Sequence, residues 1–298
     1  MKSLWKFLVI AASTCAGQPL VDHHQHLLKA ASVHPEGSAL TGSELVAQLD
    51  QVKIRRAAVL SLAYMMGNPN RPAVENEYEK VRAENDWTRD QAARYPTRLR
   101  AICSVNPLKD YAIAEVARCS GDRGLGAGLK LHFGNSDVDL DNPAHIGKLQ
   151  AVFREANRHR MAIIAHIHSN VDHNRPWGAK QARVFLDRLL PQAPDVPIQI
   201  AHMASAGLFD SGSDGAFMVF ADAIRVRDRR VKRLLFDISV DWGANPELLV
   251  RRVRDVGVKR ILFASDQPPG KVLAKLKTLP LSASEFRSIE RNVAPYMK

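Results

Sequence analysis

From residue 19 onward, short apolar runs alternate with longer stretches whose apolar positions recur at helical spacing. Short apolar runs bounded by turn residues predict strands, and a period near 3.6 predicts helices. Strands are predicted at 19–24, 57–63, 100–105, 128–132, 162–166, 198–202, 234–240 and 260–265. Helical segments are predicted between them at 43–52, 74–94, 113–119, 146–159, 179–190, 216–225 and 247–256. Eight strands with intervening helices, and no linker or break in composition, predict an α/β fold: a single-domain (β/α)8 TIM barrel. The competing architecture is a doubly wound open sheet. It needs a glycine fingerprint opening its first helix, and none follows the first strand. The Gly-rich 121–128 segment leads into a strand, lacks a Gly-Lys-Ser/Thr ending and reads as a loop.

With 298 residues, 46% hydrophobic and 24% charged, the chain has the composition of a soluble globular protein, which excludes disordered and fibrous classes. The start differs. Lys2 and Lys6 flank an apolar stretch at 4–12, followed by small residues through Gly17. This is the pattern of an export signal and predicts a signal peptide at 1–17, a mature domain at 18–298 and a periplasmic or secreted location. The apolar stretch is too short to span a bilayer, and no transmembrane segment is expected. The alternative is an extra N-terminal strand or helix. Cys15 follows Ala12-Ser13-Thr14, a poor lipidation site.

Net charge is +11, and +9 without Lys2 and Lys6. Much of the excess lies in runs at 225–233 and 251–254, which are predicted to fall on outer helices, carry no interleaved aromatics and read as solvated faces. A basic surface still favours anionic partners, nucleic acid or an anionic membrane among them, by long-range steering. Without a Cys-x-x-Cys, a zinc ribbon or thioredoxin-type site is excluded. Whether Cys103 and Cys119 pair depends on a Cα separation that spacing does not give.

Barrels of this type carry their chemistry at the C-terminal ends of the strands. Strict alternation along Asp22-His23-His24-Gln25-His26 places Asp22, His24 and His26 on one face, with His23 and Gln25 on the other. Strand four ends with Lys130 and His132 on one face, strand five with His166, strand six with His202 and strand eight with Asp266. His168 shares the parity of His166, but His166 ends the apolar run. Three neutral imidazoles and a carboxylate suit a zinc-type ion with one position open to water. Water so held loses a proton near neutral pH and becomes a nucleophile. Duller readings stand beside this one: interior imidazoles for His24 and His26, a core histidine for His202, and a helix N-cap for Asp266. Pro268-Pro269-Gly270 argues against the cap by delaying the next helix. His168 and His173 are expected in the loop above, and His23, His34, His145 and His159 in structural or surface roles.

The segments VDHHQHLL (21–28), GLKLHF (128–133), IQIAHM (198–203) and RILFASDQP (260–268) resemble the amidohydrolase superfamily. The closing SASEFRSIERNVAPY (282–296) resembles that group's last helix and tail. The likeness is to the amidohydrolase-related group of metal-dependent hydrolases, lactonases and non-oxidative decarboxylases. It implies His24, His26, His166 and Asp266 as metal ligands, with Asp266 also accepting a proton from water and His202 polarising the scissile carbonyl. In some relatives a strand-four lysine is carboxylated and bridges two metals, and in others it serves a single-metal site. For Lys130 the expectation is one divalent metal, zinc. His132 is expected to touch substrate or to hydrogen-bond within its loop.

The expected function is metal-dependent hydrolysis of an ester, lactone or amide bond in a small, anionic molecule, with decarboxylation on the same scaffold as the alternative. TatD-like nucleases carry a glutamate where this chain has Lys130 and His132, so nucleic acid is not an expected partner. A non-catalytic binding barrel predicts a missing ligand, and none is missing. Serine hydrolysis is disfavoured by the absence of Gly-x-Ser-x-Gly. Substrate and oligomeric state stay open.

Overall fold

The computed structural model describes residues 19–29, 39–170, 173–207, 210–240, 245–266 and 268–298. The predicted signal peptide, Cys15 and His34 lie outside them. The strands are Val21–Gln25 (β1), Arg56–Leu60 (β2), Leu99–Ser104 (β3), Gly128–His132 (β4), Ala162–His166 (β5), Ile198–Ile200 (β6), Leu234–Asp237 (β7) and Ile261–Leu262 (β8). They form one sheet in sequential order, each parallel to the next. Two further backbone bonds tie β1 to the segment leaving β8. The His23 N–H donates to the Phe263 carbonyl at 3.0 Å and the Asp266 N–H to that of His24 at 2.8 Å. The fold is the predicted (β/α)8 barrel.

Nine helices surround it among the described residues: Gly42–Gln51 (α1), Glu77–Ala93 (α2), Ala112–Gly121 (α3), Pro143–Arg158 (α4), Ala179–Val184 (α5), Ser211–Arg225 (α6), Pro246–Val256 (α7), Pro269–Leu276 (α8) and Ala283–Arg291 (α9). α5 continues as a π turn over Phe185–Leu189. α8 begins at Pro269, sooner than the Pro-Pro-Gly stretch suggests. A proline at the first helical position lacks only an N–H that would have no intrahelical partner. Pro268, not Asp266, stands at the N-cap, which leaves the Asp266 carboxylate free of that duty.

Alternation along the strands divides the apolar residues into two layers. Val59, Ala101, Leu129, Leu131, Ile163 and Phe236 belong to the large cluster shared with the helices. Ala58, Leu60, Ile102, Ile164 and Leu262 form a smaller cluster inside the barrel, with Ala294, Tyr296 and Met297 of the C-terminal tail packed into it. The interior is thus filled at one end by the tail and left to polar groups at the other.

Alternation fails in β1, where the register slips between Asp22 and Gln25. A bulge re-aims side chains by inserting one extra residue against the partner strand. His23 therefore does not pair with Gln25 on an outer face. Its Nδ1 meets the Phe263 carbonyl at 2.9 Å, and its Nε2 accepts the Ala294 N–H at 3.2 Å. Asp22 and Gln25 meet each other at 3.0 Å, and the Asp22 carboxylate also accepts the Ser265 N–H at 3.1 Å and the Ser265 hydroxyl. The bulge leaves His24 and His26 at the barrel mouth, one level above His23.

Cys103 of β3 and Cys119 of α3 form a disulfide, with Cα atoms 6.2 Å apart. A loop of this size removes about 3 kcal/mol of unfolded-chain entropy in the usual account. Both sulfurs are buried between strand and helix.

Burial lowers the His23 pKa from 6.5 to about 4, against the raising influence of the Phe263 carbonyl and Asp237. The unfolded chain therefore binds a proton between these values that the native protein does not. Stability present above pH 6.5 should fall as pH drops, by about 2 kcal/mol at pH 5 from this group alone. Denaturant melts at pH 7 and 5 check this, with His23→Gln expected to flatten the difference. Equal slopes in both proteins would contradict it.

Candidate metal centre

The imidazoles at the barrel mouth are oriented by what their Nδ1 atoms meet. His24 Nδ1 lies 3.1 Å from Asp237 Oδ2 at the end of β7. His26 Nδ1 lies 2.6 Å from the Leu60 carbonyl, and His202 Nδ1 2.5 Å from the Ser239 carbonyl. An acceptor at Nδ1 fixes the proton there and leaves an Nε2 lone pair on each ring. Those three Nε2 atoms converge on Asp266, at 3.8 Å from His24, 3.5 Å from His26 and 3.8 Å from His202. Burial holds the imidazoles of His26 (to about 3) and His202 below the usual range, so both are neutral near pH 7.

Asp266 is anionic. Burial would raise its pKa, but the facing imidazoles and the Lys130 ammonium bring it down to about 2. The Nε2 lone pairs of His26 and His202 thus face the carboxylate oxygens with no proton between them, an arrangement that a bound cation relieves. Donor atoms of His24, His26 and Asp266 all lie within 4.8 Å of one another. The donor set fits a divalent ion by chemistry and by tautomer.

Lys130 completes the charge pattern. Its Nζ lies 3.0 Å from His24 Nε2, and burial lowers its pKa to about 8 against the raising pull of Asp266 and Asp237. The predicted shared face of Lys130 and His132 is observed: both line the same cavity of about 600 Å³, with His24, His26, His166, His202 and Asp266. His132 differs from its neighbours, because its Nδ1 accepts the Asn135 N–H at 3.1 Å. That bond within the loop puts the proton on Nε2. Its ring stacks on His166 with centroids 3.9 Å apart, and Tyr64 lies against its other side at 5.1 Å.

His166 lines the cavity, 4.9 Å from His202 between ring centroids, but its nitrogens do not join the tight group formed by His24, His26 and Asp266. His168 is turned away, with Nδ1 on the Ser169 carbonyl and its ring against Trp177. His173 is exposed, and His145 and His159 make local bonds on the outside.

The backbone at the mouth is strained. His202, Met203 and Ala204 have φ of 53°, 51° and 67°, and Asp266 has 48°. Left-handed conformations cost non-glycine residues about 1–3 kcal/mol each and cluster at functional sites. Asp237 Oδ1 holds the His202 N–H at 2.9 Å, Trp177 Nε1 holds the Ala204 carbonyl at 3.0 Å, and the Asp266 N–H is held by the His24 carbonyl.

Sequence reasoning missed Asp237, Gln199, Ser239 and Tyr64. Asp237 accepts from His24, from the His202 N–H, from Gln199 Nε2 at 2.7 Å and from the Ser239 hydroxyl at 2.5 Å. Burial opposes its ionisation, yet these donors hold its pKa far below the carboxylate range. The available signal was a carboxylate inside the apolar run predicted as the seventh strand, a place where a charge is costly unless donors meet it.

Imidazoles and a carboxylate gathered at the strand ends of a (β/α)8 barrel define a metal-dependent barrel enzyme. The amidohydrolase family profile matches residues 21–286, and the chain belongs to that family. No curated protein matches it. Among the solved structures that share the fold at low identity are the following three. The 5-carboxyvanillate decarboxylase of Sphingomonas paucimobilis has a TM-score of 0.62 and 14% identity, over 92% of this chain and 97% of that one. The 2,6-dihydroxybenzoate decarboxylase of Rhizobium has a TM-score of 0.62 and 16% identity, over 91% and 96%. The dihydroxybenzoic acid decarboxylase of Polaromonas sp. JS666, with bound manganese and 2-nitroresorcinol, has a TM-score of 0.63 and 15% identity, over 92% and 94%.

Asp237→Asn keeps the shape of the side chain but removes the charge that fixes the His24 tautomer. Metal affinity should fall about 10–100-fold, as for other outer partners of ligating histidines. Competition with a chelator measures it, and wild-type affinity in the variant would contradict the assignment.

Proposed function

We propose that this protein is a metal-dependent, non-oxidative decarboxylase of a small aromatic carboxylate. The carrying observation is the buried Lys130 ammonium, which faces the same cavity as the converging donor set. With a divalent ion at His24, His26 and Asp266, that end of the cavity is net positive and suits an anionic carboxylate. The decarboxylases that share the fold act on hydroxylated benzoates, which supports the same reading. The stacked His132 and His166 rings, with Tyr64 beside them, offer a flat wall for an aromatic ring.

A divalent ion bound there supplies Lewis-acid polarisation of substrate oxygen. Lys130 pairs with the substrate carboxylate, and the Nε2–H of His132 donates a hydrogen bond toward the ring substituents. Among the described residues lining the cavity, Asp266 is the carboxylate. It takes a proton from a substrate hydroxyl and returns it to the ring carbon that releases carbon dioxide. His202, neutral and tied at Nδ1, presents an Nε2 lone pair that can accept a hydrogen bond from a substrate hydroxyl, and His166 is a further ligand or ring contact.

Hydrolysis of an ester, lactone or amide is the second reading. It is favoured by the same anionic Asp266, which can equally accept a proton from water. The nitrogen and oxygen donors accommodate zinc or manganese, and zinc remains our first choice. We also infer export. The segment at 1–17 has the form of a leader, and disulfides such as Cys103–Cys119 persist mainly in oxidising compartments.

The test is a panel of hydroxylated benzoates, lactones and esters with zinc- or manganese-loaded protein. Carbon dioxide release is expected, with Asp266→Asn lowering kcat by about a hundredfold or more. Metal-dependent hydrolysis without decarboxylation would establish the second reading instead. Near wild-type turnover by Asp266→Asn would overturn the role of that residue in both.

A further inference from the structure

The charge of this chain is sorted along the barrel axis. The seven helix-to-strand connections, from that between α1 and β2 to that between α7 and β8, carry thirteen Lys and Arg against three Asp. Among the described residues, the strand-to-helix connections at the catalytic end carry four Lys and Arg against seven Asp and Glu. In a (β/α)8 barrel the two sets lie at opposite ends. The end away from the cavity is therefore strongly basic, and the end around the cavity is acidic.

The basic charge is largely unneutralised. Eleven of the thirteen cations are exposed, and of these only Arg230 has a carboxylate at ion-pair distance among the described residues. Arg227, Arg229, Lys232 and Arg233 share one short connection with it. Unpaired like charges on one face repel one another, and an opposing anionic surface removes that cost. In the same connection Val226 is 68% exposed, the highest value among the exposed large hydrophobic residues described, and it sits between Arg225 and Arg227. Cations around an exposed apolar side chain match a lipid headgroup layer, where charge meets phosphate and the apolar group enters the interface. Nucleic acid is the poorer fit, because the 225–233 run contains no aromatic residue for base stacking.

We propose that the helix-to-strand end of the barrel docks on an anionic phospholipid surface. The protein then sits with its basic end on the membrane and its cavity open to solvent, accessible to small soluble substrates. This surface is independent of the chemistry in the cavity and of the ion it holds.

Vesicle co-sedimentation of the full chain tests this. Vesicles of phosphatidylcholine with about one quarter phosphatidylglycerol should bind at low salt, at least about tenfold more tightly than phosphatidylcholine alone. Binding should weaken steeply as salt rises toward about 0.5 M, where screening is short-ranged. The triple variant Arg227→Glu, Arg229→Glu, Arg233→Glu should lose about a hundredfold in affinity while its denaturation midpoint is unchanged. Val226→Ser should weaken binding more modestly. The variants retain the 1–17 segment, so the leader contributes equally to each. Equal binding to neutral vesicles, full binding by the triple variant, or tighter binding to a short DNA duplex than to the anionic vesicles would each overturn the proposal.

Discussion

The mouth of this barrel is organised by one buried carboxylate. Asp237 ends β7 without solvent exposure, and an ionised group in such a place is costly unless several donors meet it. It gathers five: the His24 ring, the Gln199 amide, the His202 backbone N–H, and the hydroxyl and backbone N–H of Ser239. Meeting that requirement fixes the His24 ring and its tautomer and pins the backbone entering the segment after β6. The aim of His24 Nε2 into the cavity is a consequence of satisfying this carboxylate through His24 Nδ1.

A second consequence is stored repulsion. The imidazole lone pairs of His26 and His202 are aimed at an anionic carboxylate, and four residues near it hold left-handed backbone. The packed barrel, with its tail plugged into the opposite end, supplies the rigidity that keeps these groups from relaxing apart. The tail reaches the site directly: the Tyr296 hydroxyl donates to Gln199 Oε1 at 2.5 Å, which turns the Gln199 amide N–H toward Asp237. The far end of the interior and the metal-binding end are thus linked by one line of hydrogen bonds.

Most of the fold was legible in the sequence for a physical reason. Parallel barrel strands are buried on both faces, so they read as continuous apolar runs, and histidines ending such runs stand out. That is why His24, His26, Lys130, His132, His166, His202 and Asp266 could all be placed on one cavity wall beforehand. Asp237 was hidden by the same rule. The apolar run around it continues to Val240, so it read as strand interior, whereas β7 ends at Asp237 itself. The bulge in β1 was illegible because a one-residue register slip leaves no mark in composition, and it sent His23 inward with His24 above it. Tyr64 comes from a 3-10 turn after β2, a segment without period. The Cys103–Cys119 bond depended on how α3 returns along β3, which spacing alone does not give.

The central claim is that the Nε2 atoms of His24 and His26, with the Asp266 carboxylate, hold one divalent ion. Anomalous diffraction from crystals of metal-loaded protein tests it most directly. The account predicts a single strong peak about 2.0–2.2 Å from those nitrogens and from a carboxylate oxygen. A peak on the Nδ1 side of His24 against Asp237, or no peak among these residues in active protein, would contradict it.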